Sequence, residues 1–599
     1  MPLPTYLSQS LLAALIAGLT LQLDFALGAV GILSPRQLSL WWVHIVALTV
    51  SIIFAGLAIR RDLSFHRLPT ITVVGSVILF TLAMVLGFLP IISRDALIYH
   101  LFIPKIWLEQ GDYSVIPWHQ TSYFPLLLSL GFRGFIALGI DFLVAPYQAL
   151  FLLLTATCAY WFVRLVFKAE RTEAACAVMV VLITPITLRL AGEPMTDGAL
   201  SFFFGMGLLV FCLRYTHPNR YFLLLSGCFF GLSLSLKYTA LLAFALLPLL
   251  LIWLELSNKS PIRRALFSVL FVLSISICCA SPWYIRNYLL NGDPIFPFLA
   301  ETIGTSAKRA FIGNMSPLNY RHSIYGETWL DLILLPVRVL FLGKDGSTES
   351  FDGQGTILYF AAIATLLSTK LRSLLTVIPI ISFITLHLIL APFHHHLLLR
   401  YHATLLAPGA ALAGVGLLYL LNRGRAIRIA SQTAIGFQIL LSCYYLLGLY
   451  EKRDPLTFLS DWQTTDLAIA KHNYLARHLT EFRLAEFVNE KLTSNECVYL
   501  LFTGSRLYYY QRCARTEYEA FEPFARYLIQ PEGGNKLLQY LKAQGLSHLA
   551  LHTTRMNSTL ATLFKEEPQA QGEWQSFLSH TKAVPATKWL SPFVVLQLS

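Results

Sequence analysis

Apolar runs of about 20 residues recur from the start of the chain to about residue 450. Each is near the length needed to cross ~30 Å of hydrocarbon. They predict transmembrane helices at about 10–32, 41–59, 69–92, 144–167, 173–190, 197–214, 221–236, 239–257, 265–282, 355–369, 374–391, 402–421 and 428–449. The count is about thirteen, an odd number that sets the two termini on opposite sides of the bilayer. After residue 450 the texture changes: residues 451–599 are charged and mixed and contain no spanning run, which predicts a separate water-soluble domain. Within it, 480–491 (TEFRLAEFVNEK) and about 534–544 have helical spacing, while 497–502 (CVYLLF) and 548–553 (HLALHT) read as short strands. The predicted fold class is an α-helical polytopic membrane protein with a small C-terminal α/β domain.

Composition changes this picture little. Of 599 residues, 56% are hydrophobic and 13% charged, where a soluble domain carries about 25% charge. The net charge of +12 raises nucleic acid as a partner, and the placement of the charge removes it. Arg60, Arg61 and Arg67, then Lys168 and Arg171, Arg214 and Arg220, Lys259, Arg263 and Arg264, Lys370 and Arg372, and Arg423, Arg425 and Arg428 fill one set of short loops. By the positive-inside rule those loops are cytoplasmic. The opposite loops gather Asp95, Asp112, Asp141, Glu193, Asp197, Asp293, Asp345 and Asp352, and the tail lies with them, outside the cytoplasm. The first apolar run lacks a basic lead and a clean cleavage site, and reads as a retained span whose N-terminus is cytoplasmic.

Two outer segments are long. Residues 93–143 hold helix-like stretches at 95–110 and 124–140. Counting the second as a span would put Lys168 and Arg171 outside, so it is expected to lie in the interface. Residues 284–354, rich in Pro, Gly and Asn, form the other. The nine cysteines make no CxxC pair, and most lie in spans; Cys497 and Cys513, both in the tail, can pair if the tail occupies an oxidising compartment.

Candidate chemistry sits at the outer boundary. Asp95, in SRDALIYHLF, has Tyr99 one helical turn along and His100 beside it. It suits either a reactive carboxylate or a helix cap. Glu193 and Asp197, in GEPMTDGAL, are four residues apart and can share a helical face, holding a divalent cation through oxygen or capping a helix. Lys237, Arg286 and Arg400 are basic groups on the acidic side, suited to a lipid-linked phosphate or to snorkelling toward headgroups. His394–His396 with His402 is a poor zinc set, because consecutive residues rarely point to one centre. No nucleotide-binding glycine motif is present.

These stretches resemble the C-type glycosyltransferase (GT-C) superfamily, whose members use lipid-phosphate-linked sugars. The resemblance is to the bacterial family-39-type enzymes, relatives of the protein O-mannosyltransferases and the lipid A aminoarabinose transferase. It is carried by RDALIYHLFIPKIWLEQG (94–111), SYFPLLLSLGF (122–132), EPMTDGALSFF (193–203), GLSLSLKYTALL (231–242), SPWYIRNYLLNGDPIFPF (281–298) and LLRYHATLLAPGAALAG (398–414), in order over roughly residues 70–450. The tail is similar to the small α/β domain some members carry. The resemblance implies catalytic carboxylates at Asp95 and Asp197 with Glu193 adjacent. It also implies substrate binding by Tyr99, His100, Lys237, Arg286 and Arg400, the three basic residues reading the donor phosphate. A divalent cation, Mg or Mn, would fall to Asp95, Glu193 and Asp197. Asp95 is followed by Ala96 where the protein O-mannosyltransferases have an Asp-Glu pair, which leaves a metal requirement open.

The family usually has one span before the acidic loop, so residues 1–68 read as an added hairpin, 69–450 as the catalytic core and 451–599 as the outer domain. The expected function is sugar transfer from a polyprenyl-phosphate donor to a lipid, glycan or protein acceptor outside the cytoplasm of a bacterium, at its inner membrane. The alternatives are a transporter or flippase of a lipid-linked saccharide, or an inactive assembly protein. Transport is the weaker alternative, because the acids lie at boundaries and no related halves are visible.

Overall fold

The structure, a computed structural model, describes residues 4–62, 70–217, 219–299, 321–323, 326–334, 337–338, 354–368, 371–390, 398–516, 521–585 and 590–599. Arg67, Lys370, Asp345, Asp352, the run His394–His396 and most of the loop 284–354 lie outside the described residues.

A helix lies under every apolar run. In chain order they are α1 (Thr5–Ala29), α2 (Ser39–Asp62), α3 (Thr70–Val85), α4 (Phe102–Gln110), α5 (Leu127–Ala137), α6 (Val144–Trp161), α7 (Arg171–Ile183), α8 (Pro185–Ala191), α9 (Asp197–Leu213), α10 (Tyr221–Leu234), α11 (Ala240–Ser257), α12 (Ile262–Asn291), α13 (Ala361–Ser368), α14 (Leu371–Ile389), α15 (Leu406–Leu421) and α16 (Arg425–Arg453). Among the described residues seven helices are long and apolar enough to cross a membrane, or eight if the bent pair α7–α8 is one span. The other five predicted runs fall on shorter apolar helices. The protein is an integral membrane protein. The segment 124–140, expected in the interface, is the short helix α5, with Arg133 fully buried.

Local chemistry explains the shape near the end that holds Asp95 and Asp197. Pro185 disfavours helical backbone at Thr184, which is extended (ψ 123°), and α7 and α8 meet at 64°. That bend carries the chain to Glu193 and Asp197. The helix α15 is central and packs through small residues. A Cβ on Gly416 would lie 1.7 Å from the Ala361 carbonyl oxygen, and one on Gly414 would lie 2.5 Å from the Ala177 nitrogen. Close backbone approach between helices in lipid depends on such residues.

The hairpin α1–α2 is joined to the rest by buried polar contacts. Within the hairpin, Ser10 on α1 and Ser51 on α2 exchange hydroxyl-to-carbonyl bonds at 2.9 and 3.0 Å. Trp41 Nε1 donates to the Gly131 carbonyl at 2.6 Å, and His44 bonds the Tyr147 hydroxyl at 2.7 Å. Asp24, 1% exposed, pairs with the fully buried Arg133 at 2.7 Å and accepts from Tyr113 at 2.6 Å. An acid inside the first apolar run thus finds its cation on α5.

The tail is a five-stranded sheet: β1 (Cys497–Leu501), β2 (Cys513–Arg515), β3 (His548–His552), β4 (Thr581–Ala583) and β5 (Phe593–Leu598), in the order β2-β1-β3-β5-β4. Strand β1 runs parallel to β2 and β3, and β5 antiparallel to β3 and β4. Every residue of β1 is buried, as expected of a continuously apolar strand covered on both faces. Both predicted helices are present, at Phe482–Lys491 and Gly533–Ala543. Cys497 and Cys513 face each other in register and form a disulfide.

Candidate active site

Four charged side chains from four distant segments meet at one end of the helical core. Asp95 follows α3, Asp197 opens α9, Lys237 lies in the link between α10 and α11, and Arg400 lies in the turn before α15. Arg400 Nη2 donates to Asp95 Oδ2 at 2.7 Å, and Lys237 Nζ to Asp197 Oδ1 at 3.0 Å. The Tyr401 ring joins the pairs, 5.0 Å from Lys237 Nζ and 5.9 Å from the Arg400 guanidinium carbon. The Tyr99 hydroxyl donates to Asp95 Oδ2 at 3.4 Å, and Arg400 Nη1 points to Met195 Sδ at 3.3 Å.

The bland alternatives fail on geometry. Asp95 makes no side-chain cap bond, and its backbone is already helical. At the start of α9 no side-chain cap bond forms from Thr196, and Asp197 is fully buried against Lys237. Neither Lys237 nor Arg400 snorkels: their side chains are 11% and 5% exposed, and both are paired.

Two carboxylates and two cations make the cluster formally neutral, which is how buried charge is tolerated. Burial pushes the Asp95 pKa up. The Arg400 and Lys237 charges, with His100 and the Arg400 hydrogen bond, outweigh it and hold the carboxyl below its ordinary range. Burial, with Lys237, pushes His100 well down, so its ring is neutral near pH 7. Tyr99 is pushed up by burial and by Asp95.

Several buried polar atoms here have no hydrogen-bond partner among the described residues: Asp197 Oδ2, Arg400 Nε, His100 Nε2 and both amide atoms of Gln148. Gln148, on α6, is fully buried against the start of α9, since a Cβ on Gly198 would lie 3.1 Å from its Nε2. Unsatisfied polar groups are costly in an interior. A cavity of about 250 Å³ runs from Asp197, Arg400 and His402 to Phe360, Ile363 and Leu388. Some of its lining side chains are also exposed on the apolar surface, Ile363 being 65% exposed.

Two expected site residues have partners outside the quartet. Glu193 is paired with Arg453 Nη2 at 3.0 Å and Arg189 Nε at 3.4 Å, tying α8 to the end of α16. Arg286 stacks over Phe25 and Trp283, 5.1 and 5.3 Å from their centres, and donates to the Ser122 carbonyl at 3.0 Å. The carboxylates of Asp95, Asp197 and Glu193 thus face cations, not one another. Among the described residues no three Asp, Glu, His or Cys gather as a metal set. Gln148, Met195 and Tyr401 join the site without having been singled out in the sequence.

A family model for a domain of unknown function (DUF8201) matches residues 138–306. No curated protein matches the chain. Among solved structures, ArnT from Cupriavidus metallidurans bound to undecaprenyl phosphate superposes with a TM-score of 0.51 at 14% identity, over 88% of this chain and 97% of that one. The fold is GT-C-like. Its apo form gives 0.49 at 15% identity over 87% and 98%. The Archaeoglobus fulgidus oligosaccharyltransferase AglB, in complex with an inhibitory peptide and a dolichol-phosphate, gives 0.44 at 11% identity over 86% and 72%.

Proposed function

We propose that this protein is a membrane glycosyltransferase, moving a sugar from a polyprenyl-phosphate-linked donor to an acceptor hydroxyl on the extracytoplasmic side of a bacterial inner membrane. The observation that carries the reading is the formally neutral, largely buried quartet Asp95, Arg400, Asp197 and Lys237, with its unpartnered polar atoms, two of whose members line an apolar cavity. The cavity suits a prenyl chain, and the quartet suits the phosphate it carries. ArnT, whose fold this chain shares, has been seen with undecaprenyl phosphate bound.

The chemistry follows from charge. The donor is a phosphodiester with one negative charge. As the bond from the anomeric carbon to the phosphate oxygen breaks, the departing lipid phosphate gains a second. Lys237 and Arg400 therefore attract the transition state more than the ground state, which is the condition for lowering a barrier. A phosphate drawing on Arg400 also loosens its hold on Asp95, restoring basicity to that carboxylate. Asp95 then takes the acceptor's proton as the acceptor oxygen attacks, a step worth about 10²–10⁴-fold. A single displacement inverts the anomeric centre. Asp197 holds Lys237 in place, and His100 and Gln148 supply neutral hydrogen-bonding groups for sugar hydroxyls. The acceptor is a lipid, a glycan or a protein, the N-terminus is cytoplasmic and the tail faces outward.

The test is transfer of radiolabelled sugar from a panel of polyprenyl-phosphate donors in reconstituted vesicles, comparing wild type with Asp95→Asn matched for folded protein. Transfer by wild type and its loss in the variant support the reading. No transfer from any donor, with movement of lipid-linked sugar across the vesicle bilayer, replaces it with the transporter.

A further inference from the structure

The tail reaches back and grips the chain on both sides of Asp95. The Leu507 and Tyr508 backbone N–H groups both donate to the Leu97 carbonyl, at 3.1 and 3.2 Å. The Tyr509 hydroxyl donates to the Ile91 carbonyl at 2.7 Å. Asp95 therefore lies between two backbone carbonyls held by one short piece of the tail. Lys105, on α4, donates to the Tyr508 and Tyr510 carbonyls at 2.9 and 2.6 Å, and the Tyr508 hydroxyl donates to Asp141 at 2.9 Å. Leu507 is fully buried, and Tyr508 and Tyr510 nearly so.

The other side of this segment is fastened to the tail. The Cys497–Cys513 disulfide closes the loop that contains it, across 16 positions. Asn489 donates to the Tyr509 carbonyl at 3.0 Å and accepts from the Gln511 N–H at 2.7 Å. Left-handed backbone at Phe502, Gly504 and Ser505 turns the chain from β1 into the segment. The stretch it grips, Ala96–His100, is a wide, π-type turn with no side-chain cap, a rare form found mostly as single turns and frequently at functional sites.

We infer that Leu507–Tyr510 is a positioning strap: with Lys105 it fixes the turn that carries Asp95, and the Cys497–Cys513 bridge holds the strap taut. The tail then acts on the reaction without touching substrate. Misplacing a reacting group by ~1 Å can cost about 10²-fold. The kinetic part of this inference rests on the transferase reading; the structural part does not.

Two measurements on the full-length protein in vesicles separate them. The first is amide hydrogen exchange at 95–101 in wild type, Tyr509→Phe, Lys105→Met and the Cys497→Ser/Cys513→Ser pair. Exchange at least tenfold faster there, with β1 and β3 still protected, is the expected result. Unchanged exchange in all three variants overturns the strap, even if wild type transfers no sugar at all. Where a tail variant unprotects the whole sheet, Lys105→Met decides, because it alters only the membrane side of the contact. The second is kinetics: Tyr509→Phe lowers kcat about tenfold with the donor KM unchanged, and Lys105→Arg recovers most of what Lys105→Met loses. A change confined to KM, or no recovery, overturns the positioning role.

Discussion

Replacing Asp24 by Asn removes the carboxylate that faces Arg133 from 2.7 Å, at a position where the guanidinium has no access to solvent. Breaking a buried pair by taking away one partner costs about 3–5 kcal/mol, because the remaining charge is left uncompensated in a medium of low dielectric. Asn still offers one oxygen to Tyr113 or Arg133, which places the cost near the lower end, ~3 kcal/mol. At about 1.4 kcal/mol per tenfold, that raises the unfolding equilibrium roughly 150-fold. Equilibrium unfolding in a denaturing detergent, followed on purified protein, reads it directly. The double variant Asp24→Leu/Arg133→Met removes both charges and is expected to return to within ~1 kcal/mol of wild type, since apolar replacement of a whole buried pair is often neutral. A single variant as stable as wild type, or a double variant no better than the single, would refute the account of how the hairpin is joined to the outer segment.

Three further outcomes follow from the same reasoning. Asp197→Asn leaves Lys237 and Arg400 without one of their two carboxylates, and steady-state transfer should fall at least ~10²-fold while the size-exclusion profile is kept. Glu193→Gln breaks the tie between α8 and α16; it should lower stability by ~1–3 kcal/mol yet leave kcat within about tenfold, and a larger kcat loss would return Glu193 to the chemistry. His119, almost fully buried, has its pKa lowered by burial from 6.5 to about 4. The unfolded chain therefore binds the extra proton between those values, so stability is complete above pH 6.5 and is lost as pH falls toward 4, by roughly 3 kcal/mol. Unfolding measured at pH 7.5 and pH 5 should show that slope, and His119→Gln should flatten it.

The apolar helices were legible because hydrocarbon favours long apolar runs, though five of the thirteen predicted runs fall on helices shorter than a span, and the tail because its strands alternate with helical spacing. Asp95, Asp197, Lys237 and Arg400 stood out as ionisable groups at an apolar boundary, two of them against the charge bias. Their pairing did not: Arg400 meets Asp95 across 305 positions, and Lys237 meets Asp197 across 40. Glu193 looked equivalent to Asp197 from sequence spacing. The 64° bend before it and the arrival of Arg453 from 260 positions away draw it off. Arg286 looked equivalent to Lys237 in the charge pattern, yet the aromatic rings of Phe25 on α1 and Trp283 on α12 hold its guanidinium. Asp24 carried a usable signal, an acid within an apolar run, since such residues seek a buried partner. The strap carried none, because its bonds are mostly to backbone carbonyls, which every residue has.

The cavity beside Arg400 ends among side chains on the outer flank of the helical bundle. On the transferase reading, a lipid-linked donor that enters there stays in the plane of the bilayer throughout. Encounter is then a two-dimensional search, and the relevant concentration is the fraction of lipid molecules that carry sugar. Diluting the vesicles with buffer should leave the rate per protein unchanged, whereas diluting the donor with plain phospholipid at constant protein should lower it.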